Sequence, residues 1–188
     1  MKKGGKKSKI EYADDDISSI SKLLRLRIPP LFIGLVLGLF MSFITSGFEQ
    51  VILKNIALAF FLPLIVYFSD AVGTQTQLVY VRDLKTGNAS FKRYIVKETF
   101  LGIFLGIFFS LLSSLVVYFW FNSYELTLAV GISMFCAIAT APILAMIITK
   151  ITFYYKEDPA VDSGPISKVV QDVISVVIYG LISSAIIL

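Results

Sequence analysis

The sequence predicts an all-α integral membrane protein whose chain crosses the bilayer five times. Composition is the first observation behind this: hydrophobic residues make up 56% of the chain and charged residues 16%, against about 45–50% and about 25% in soluble domains. Mean hydropathy, at +0.81, agrees. The second observation is that the apolar residues gather in five runs near the roughly 20 residues a helix needs to span the hydrocarbon core. The runs are continuously apolar rather than alternating, which excludes transmembrane strands.

Residues 1–27 stand apart as a basic arm, with Lys2, Lys3, Lys6, Lys7 and Lys9 followed by Asp14, Asp15 and Asp16. This composition predicts a partly disordered or surface-lying segment. Its last part, 17–27, reads either as a short interfacial helix or as a solvated tail. A signal peptide is not expected, because no Ala-x-Ala site follows the first apolar run and four more runs come after it. The five-span domain then occupies residues 28–188.

The first run is 30–48, with Pro29 and Pro30 at its start, where a missing N–H costs little. The second is 51–81. It is long and interrupted: Pro63 removes a backbone hydrogen bond and Gly73 permits a break. The third, fourth and fifth are 95–121, 125–151 and 166–188, with Pro142 inside the fourth. Motion is expected at Pro63, Gly73 and Pro142, where backbone hydrogen bonding is weakest.

Basic residues set the orientation. The arm carries eight Lys/Arg, the second loop adds Arg82, Lys85, Lys92, Arg93 and Lys97, and the region before the fifth span adds Lys150, Lys156 and Lys168. Only Lys54 falls on the other side. The N-terminus is therefore expected in the cytoplasm and the C-terminus outside, in a multi-pass protein of the cell membrane. The net charge of +4 is then a topology signal with some attraction to anionic lipid, not a nucleic-acid footprint. Tyr80, Tyr94, Trp120, Tyr124, Tyr154 and Tyr155 lie near the expected span ends, as interfacial anchors do.

The chain has no His and one cysteine, Cys136, in an apolar run. Intrachain disulfides, His-bearing zinc or haem sites and triads with a His base are excluded. No hydrolytic or redox constellation remains, so neither an enzyme nor a resident cofactor is expected, and no residue is a catalytic candidate. An ionisable group inside lipid is costly and is a functional candidate by default. Asp172 is the first, early in the fifth span. Its bland alternative is an ion pair with Lys168, one helical turn earlier. Asp70 is the second, within the polar stretch Ser69-Asp70-Ala71-Val72-Gly73-Thr74-Gln75-Thr76-Gln77. Hydroxyl, amide and carboxylate oxygens suit hard divalent cations. The alternative there is an interfacial helix end.

Gly73, Thr74, Gln75, Lys168 and Gln171 are placed along the same pathway. Glu49 and Glu98 read as solvated span edges, with Arg93 an alternative partner for Glu98. Gly34-x-x-x-Gly38 and Gly102-x-x-x-Gly106 are candidate close-packing faces. Asp158-Pro159-Ala160 and Ser163-Gly164-Pro165 mark a turn before the fifth helix, with Ser163 as its cap and acidic residues near the cytoplasmic mouth.

These pieces together resemble the transmembrane domain of the MgtE magnesium transporters, a family related to the animal solute carriers for magnesium. The likeness covers residues 25–188. Arg25-Leu26-Arg27-Ile28-Pro29 looks like the Arg-x-Pro that opens the family's first span, and Phe48-Glu49 like the Phe-Glu that closes it. Leu58-Ala59-Phe60-Phe61-Leu62-Pro63 resembles the Pro-bearing second span. Asp70-Ala71-Val72-Gly73-Thr74-Gln75 resembles the Gly-Gly-Asn-x-Gly-x-Gln stretch, followed by Val81-Arg82-Asp83-Leu84 for Val-Arg-x-Leu. Asp158-Pro159-Ala160 with Ser163-Gly164-Pro165 is similar to the Asp-Pro-Ala…Ser-x-Pro signature. Asp172, seven residues after Pro165, falls where the pore aspartate is expected.

The resemblance implies five helices per protomer, a homodimer, and transport of largely hydrated Mg2+ drawn in by Asp172. The chain departs from the pattern in two ways. Lys168 stands where the family usually has Thr, and Ser69-Asp70-Ala71 replaces Gly-Gly-Asn. A lysine beside the path repels a divalent cation unless it reaches the interface or pairs with an acid, and Asp70 is the candidate to compensate it. The family's regulatory cytosolic modules have only the 27-residue arm as counterpart, so gating by them is not expected of this chain alone. Ion-coupled exchange, and a non-conducting subunit paired with a second MgtE-like chain, remain open beside transport by a homodimer.

Overall fold

Each run that hydropathy marks as a span is helical. The computed structural model describes residues 19–87, 90–154 and 163–188, and among these there are six helices and no strand. They are α1 (Ile20–Ser46), α2 (Glu49–Lys54), α3 (Ala57–Lys85), α4 (Phe91–Phe121), α5 (Tyr124–Tyr154) and α6 (Ser163–Ile187). Four stretches are long and apolar enough to cross a membrane: Ala57–Leu84, Phe91–Phe121, Tyr124–Ile151 and Lys168–Ile187. A shorter apolar stretch, Gly34–Ser46, lies in α1. The arm's residues 1–18, the Asp158–Asp162 part of the turn motif and Tyr155 lie outside the described residues, as do the side chains of Tyr154 and Ser163.

The chain divides into two units within α1, Met1–Leu37 and Gly38–Leu188. In the first, the described part is the amino-terminal stretch of α1. Residues 20–27 are its opening turns, so a separate interfacial helix there is not formed, and the helix runs on through Pro29 and Pro30.

Within the second unit, α5 packs against α3, α4 and α6. Its sequence allows this because the buried positions are mostly small: Ala129, Gly131, Ser133, Ala137, Ala141 and Ala145, interleaved with Met134, Ile138 and Met146. Small residues let helix backbones approach where no water drives association. The α4 side of the contact is equally small. A Cβ on Gly102 would lie 3.0 Å from Pro142 Cγ and 3.2 Å from the Ala139 carbonyl, and one on Gly106 would lie 3.0 Å from the Phe135 carbonyl. The Ser110 hydroxyl, one turn further along, donates to the Gly131 carbonyl at 2.8 Å. The second glycine pair thus forms a close-packing face. The first does not do so at Gly38, where nothing among the described residues lies within 4 Å of a built Cβ.

The large side chains of α4 turn the other way. Phe104, Phe108, Leu111, Leu115 and Phe119 are exposed. An apolar outer face over a small inner face is the arrangement for lipid rather than water.

The second apolar run is corrected in two places. It breaks at Asn55, whose side-chain Oδ1 accepts from the Ala57 N–H at 3.2 Å, and so divides into α2 and α3. It does not break at Gly73: α3 continues through Pro63 and Gly73, and α5 continues through Pro142. Neighbouring helices hold such positions in a helix at membrane depth, and Pro142 is buried against Gly102.

The two ends of the bundle differ in charge. At one, Lys54 donates to the Ile187 carbonyl, capping the last turn of α6 with a cation. At the other, Tyr94 donates to Asp83, Arg82 pairs with Asp83 at 3.0 Å, and Lys150 lies over the Phe91 ring at 3.9 Å. The basic residues of the α3–α4 connection therefore share an end with Lys150, and Lys54 is at the opposite one. Tyr80 is not an interfacial anchor. It is 1% exposed and packs on Tyr94 with ring centroids 5.2 Å apart. Trp120 and Tyr124 are exposed at the other end, as anchors should be.

The α4–α5 contact leads to a stability prediction. Gly106→Leu forces bulk against backbone and should lower stability by about 1–3 kcal/mol. Leu111→Ala, on the exposed face of the same helix, should change it by less than about 0.5 kcal/mol. Thermal unfolding of the purified protein in detergent checks both.

Candidate functional site

Helix α3 changes character along its buried face. Leu58, Phe61 and Ile65 are apolar, whereas Ser69, Gly73, Thr76 and Gln77 carry the same stripe towards the basic end. The spacing of three and four keeps all of them on one side of a helix. Helix α6 changes in the same sense: Tyr179 and Val176 are followed, towards its start, by Ser175 and Gln171. The two polar stretches face each other.

Gly73 permits the approach. A Cβ there would fall 1.6 Å from Gln171 Oε1, so the Gln171 side chain lies directly on the bare backbone of α3. Gln171 is 1% exposed, and its own carbonyl accepts from the Ser175 hydroxyl at 2.8 Å. Further along, the Tyr179 hydroxyl donates to the Leu58 carbonyl at 2.7 Å, fixing the register of α6 on α3. Gly73 is therefore a close-approach residue rather than a hinge.

This register brings Asp70 and the amino-terminal part of α6 together. Lys168 Nζ donates to Asp70 Oδ2 at 3.1 Å. The alternative of an ion pair within α6, between Lys168 and Asp172, is not formed. Lys168 reaches across to α3 instead, and Asp172 lies within electrostatic reach of both Asp70 and Lys168. The other oxygen of Asp70 and one oxygen of Asp172 are buried and have no hydrogen-bond partner among the described residues. Two carboxylates and one ammonium leave the cluster one negative charge.

The remaining predicted site residues fall in different places. Gly73 and Gln171 meet each other beneath the carboxylates. Thr74 is exposed, one turn after Asp70. Gln75 lines a separate cleft between α3 and α4, with Thr76, Glu98 and Leu101. Glu98, expected as a solvated edge or a partner of Arg93, instead accepts a 2.7 Å hydrogen bond from the Thr76 hydroxyl. Among the described residues no group of three or more His, Cys, Asp or Glu is placed to hold a metal.

Sequence reasoning named Asp70 as the candidate to compensate Lys168, and the two do pair; it missed the Gly73–Gln171 contact and the Thr76–Glu98 bond. The positive-inside pattern sets the orientation of the spans, but it carries no information on which helices are neighbours.

The chain is similar to known proteins over this region. The profile of the MgtE family, described as divalent cation transporters, matches residues 62–182. The magnesium transporter MgtE of Bacillus subtilis is 33% identical over 162 residues, 85% of this chain and 36% of that protein. The protein of the same name from Enterococcus faecalis is 31% identical over 177 residues, 93% of this chain and 38% of its own length. That of Thermus thermophilus is 29% identical over 156 residues, 81% of this chain and 34% of its own. The chain thus spans little more than a third of these relatives. The matched segment includes α4, α5 and both carboxylates of the cluster, and the chain belongs to the MgtE family of divalent cation transporters.

Proposed function

We propose that this chain moves divalent cations, Mg2+ first among them, across the cell membrane along a path that passes Asp70 and Asp172. The observation that carries the reading is the pair of buried carboxylate oxygens, one on α3 and one on α6, that lack hydrogen-bond partners among the described residues. Such oxygens are costly inside a membrane protein unless a cation or water meets them. Mg2+ dehydrates reluctantly and keeps several waters. Two carboxylates suit it as acceptors for those waters, with Asp172 as the principal attraction and Asp70 beside it. Thr74 and Gln171 add oxygens on the same side. The name of the relatives, magnesium transporter, agrees with this choice of ion.

The reading includes an orientation and an assembly. The basic end of the bundle faces the cytoplasm together with the residue 1–27 arm, and the Lys54 end faces outside, following the positive-inside pattern. The positive charge of the arm adds attraction to anionic lipid. Two copies form a homodimer with the path between or within them; a heterodimer with another MgtE-like chain is the alternative assembly.

Two measurements test this. In proteoliposomes holding only this protein, a Mg2+ gradient alone should drive uptake, and Asp172→Ala should lower it at least about tenfold. A carboxylate about 5 Å from a divalent ion contributes more than the roughly 1.4 kcal/mol this requires, even at an effective dielectric of about 20. Uptake that appears only with an added sodium or proton gradient would establish an exchanger, and a folded, inserted protein with no uptake would leave the partner-dependent subunit. For orientation, a membrane-impermeant maleimide applied to intact cells should label Asn122→Cys and leave Lys92→Cys unlabelled, both in a Cys136→Ser background. The reverse pattern would invert the topology.

A further inference from the structure

Lys168 holds a position that a simple cation path has no need of. Its side chain leaves α6 one turn before Asp172, yet its ammonium sits on Asp70 of α3, 3.1 Å from Oδ2. The Lys168 side chain is 61% exposed and that of Asp70 18% exposed. The ammonium of an exposed side chain thus covers one oxygen of a largely buried carboxylate, while the second oxygen of Asp70 and one of Asp172 have no hydrogen-bond partner among the described residues. An ion pair this open on the lysine side is weak and exchanges readily. It is also held by a flexible four-carbon stem with room to swing into water.

We propose that Lys168 is a tethered competitor: its ammonium occupies the approach to the Asp70–Asp172 pair, an incoming divalent ion displaces it, and it thereby sets both the affinity of the path and its preference for double charge. This rests on the transport reading above. A monovalent ion gains from Asp70 no more than the ammonium already does, and it competes against a cation kept at high effective concentration by its own tether. A divalent ion gains about twice as much from each carboxylate and draws on both. The lysine thus raises the threshold for every ion and raises it most for single charges.

The test compares wild type with Lys168→Met, of similar length without the charge, and Lys168→Arg, which keeps it. In proteoliposomes the Mg2+ concentration giving half-maximal uptake should fall roughly tenfold in Lys168→Met. Maximal uptake should be retained, and inhibition by added K+ should become stronger. Lys168→Arg should resemble wild type. A half-saturating concentration unchanged in Lys168→Met, with lower maximal uptake and lower thermal stability, would show a structural tether and overturn the proposal. Where Lys168→Met does not fold, Lys168→Gln carries the same readouts. If wild type shows no Asp172-dependent uptake, the transport reading fails separately. The lysine is then tested by Mn2+ binding to the purified protein, followed by the electron paramagnetic resonance of free Mn2+. Tighter binding by Lys168→Met supports the competitor, and equal or weaker binding overturns it.

Discussion

In hydrocarbon, helices gain little from hiding apolar side chains from one another, because lipid is as apolar as they are. What holds a bundle together is the closeness of its backbones. This chain meets that constraint by interleaving small residues, Ala129, Gly131, Ser133, Ala137, Ala141 and Ala145, along the buried face of α5. Gly102 and Gly106 of α4 lie close against Ala139 and Phe135, and the Ser110 hydroxyl bridges to the Gly131 carbonyl. The bulk then goes outwards, where Phe104, Leu111 and Phe119 meet the solvent of the bilayer. Helix α5 touches α3, α4 and α6, and α3 and α6 also touch each other directly.

The site follows from the same constraint applied between α3 and α6. A bare position at Gly73 admits the Gln171 amide, and that contact sets how close the two helices come at the basic end. With the helices that close, the carboxylate of Asp70 and the ammonium of Lys168 meet, although 98 positions separate them in the chain. Two acids and one base are thereby brought together between α3 and α6.

Much of this is legible in the sequence because membrane insertion imposes strong one-dimensional rules. Run length, basic-residue asymmetry and the cost of intramembrane charge single out the helices, their ends, Asp70 and Asp172 without any tertiary knowledge. Local rules for Pro and Gly are less reliable. Pro63, Gly73 and Pro142 read as weak points by backbone chemistry alone, yet α3 and α5 run through them, and at Gly73 and Pro142 a neighbouring helix packs closely. Tyr80 departs from expectation for a related reason: proximity to a span end does not say which way a side chain turns, and the packing of α3 on α4 turns it inwards.

Sequence by itself determined the solvent, the class, the helix count to within a short break at Asn55, and the family through an ordered set of motifs. Those properties depend on composition and spacing along one chain, which hydropathy and turn chemistry read directly. Only the tertiary structure decided that Lys168 pairs with Asp70 rather than Asp172, that Gln75 lines a different cleft from the carboxylates, and that Glu98 is held by Thr76. Each of those is a contact between helices, and a helix carries on its surface no local signal of which neighbour will cover it. The choice is made by how glycines and small residues let the helices approach, so it becomes visible only when the bundle is assembled.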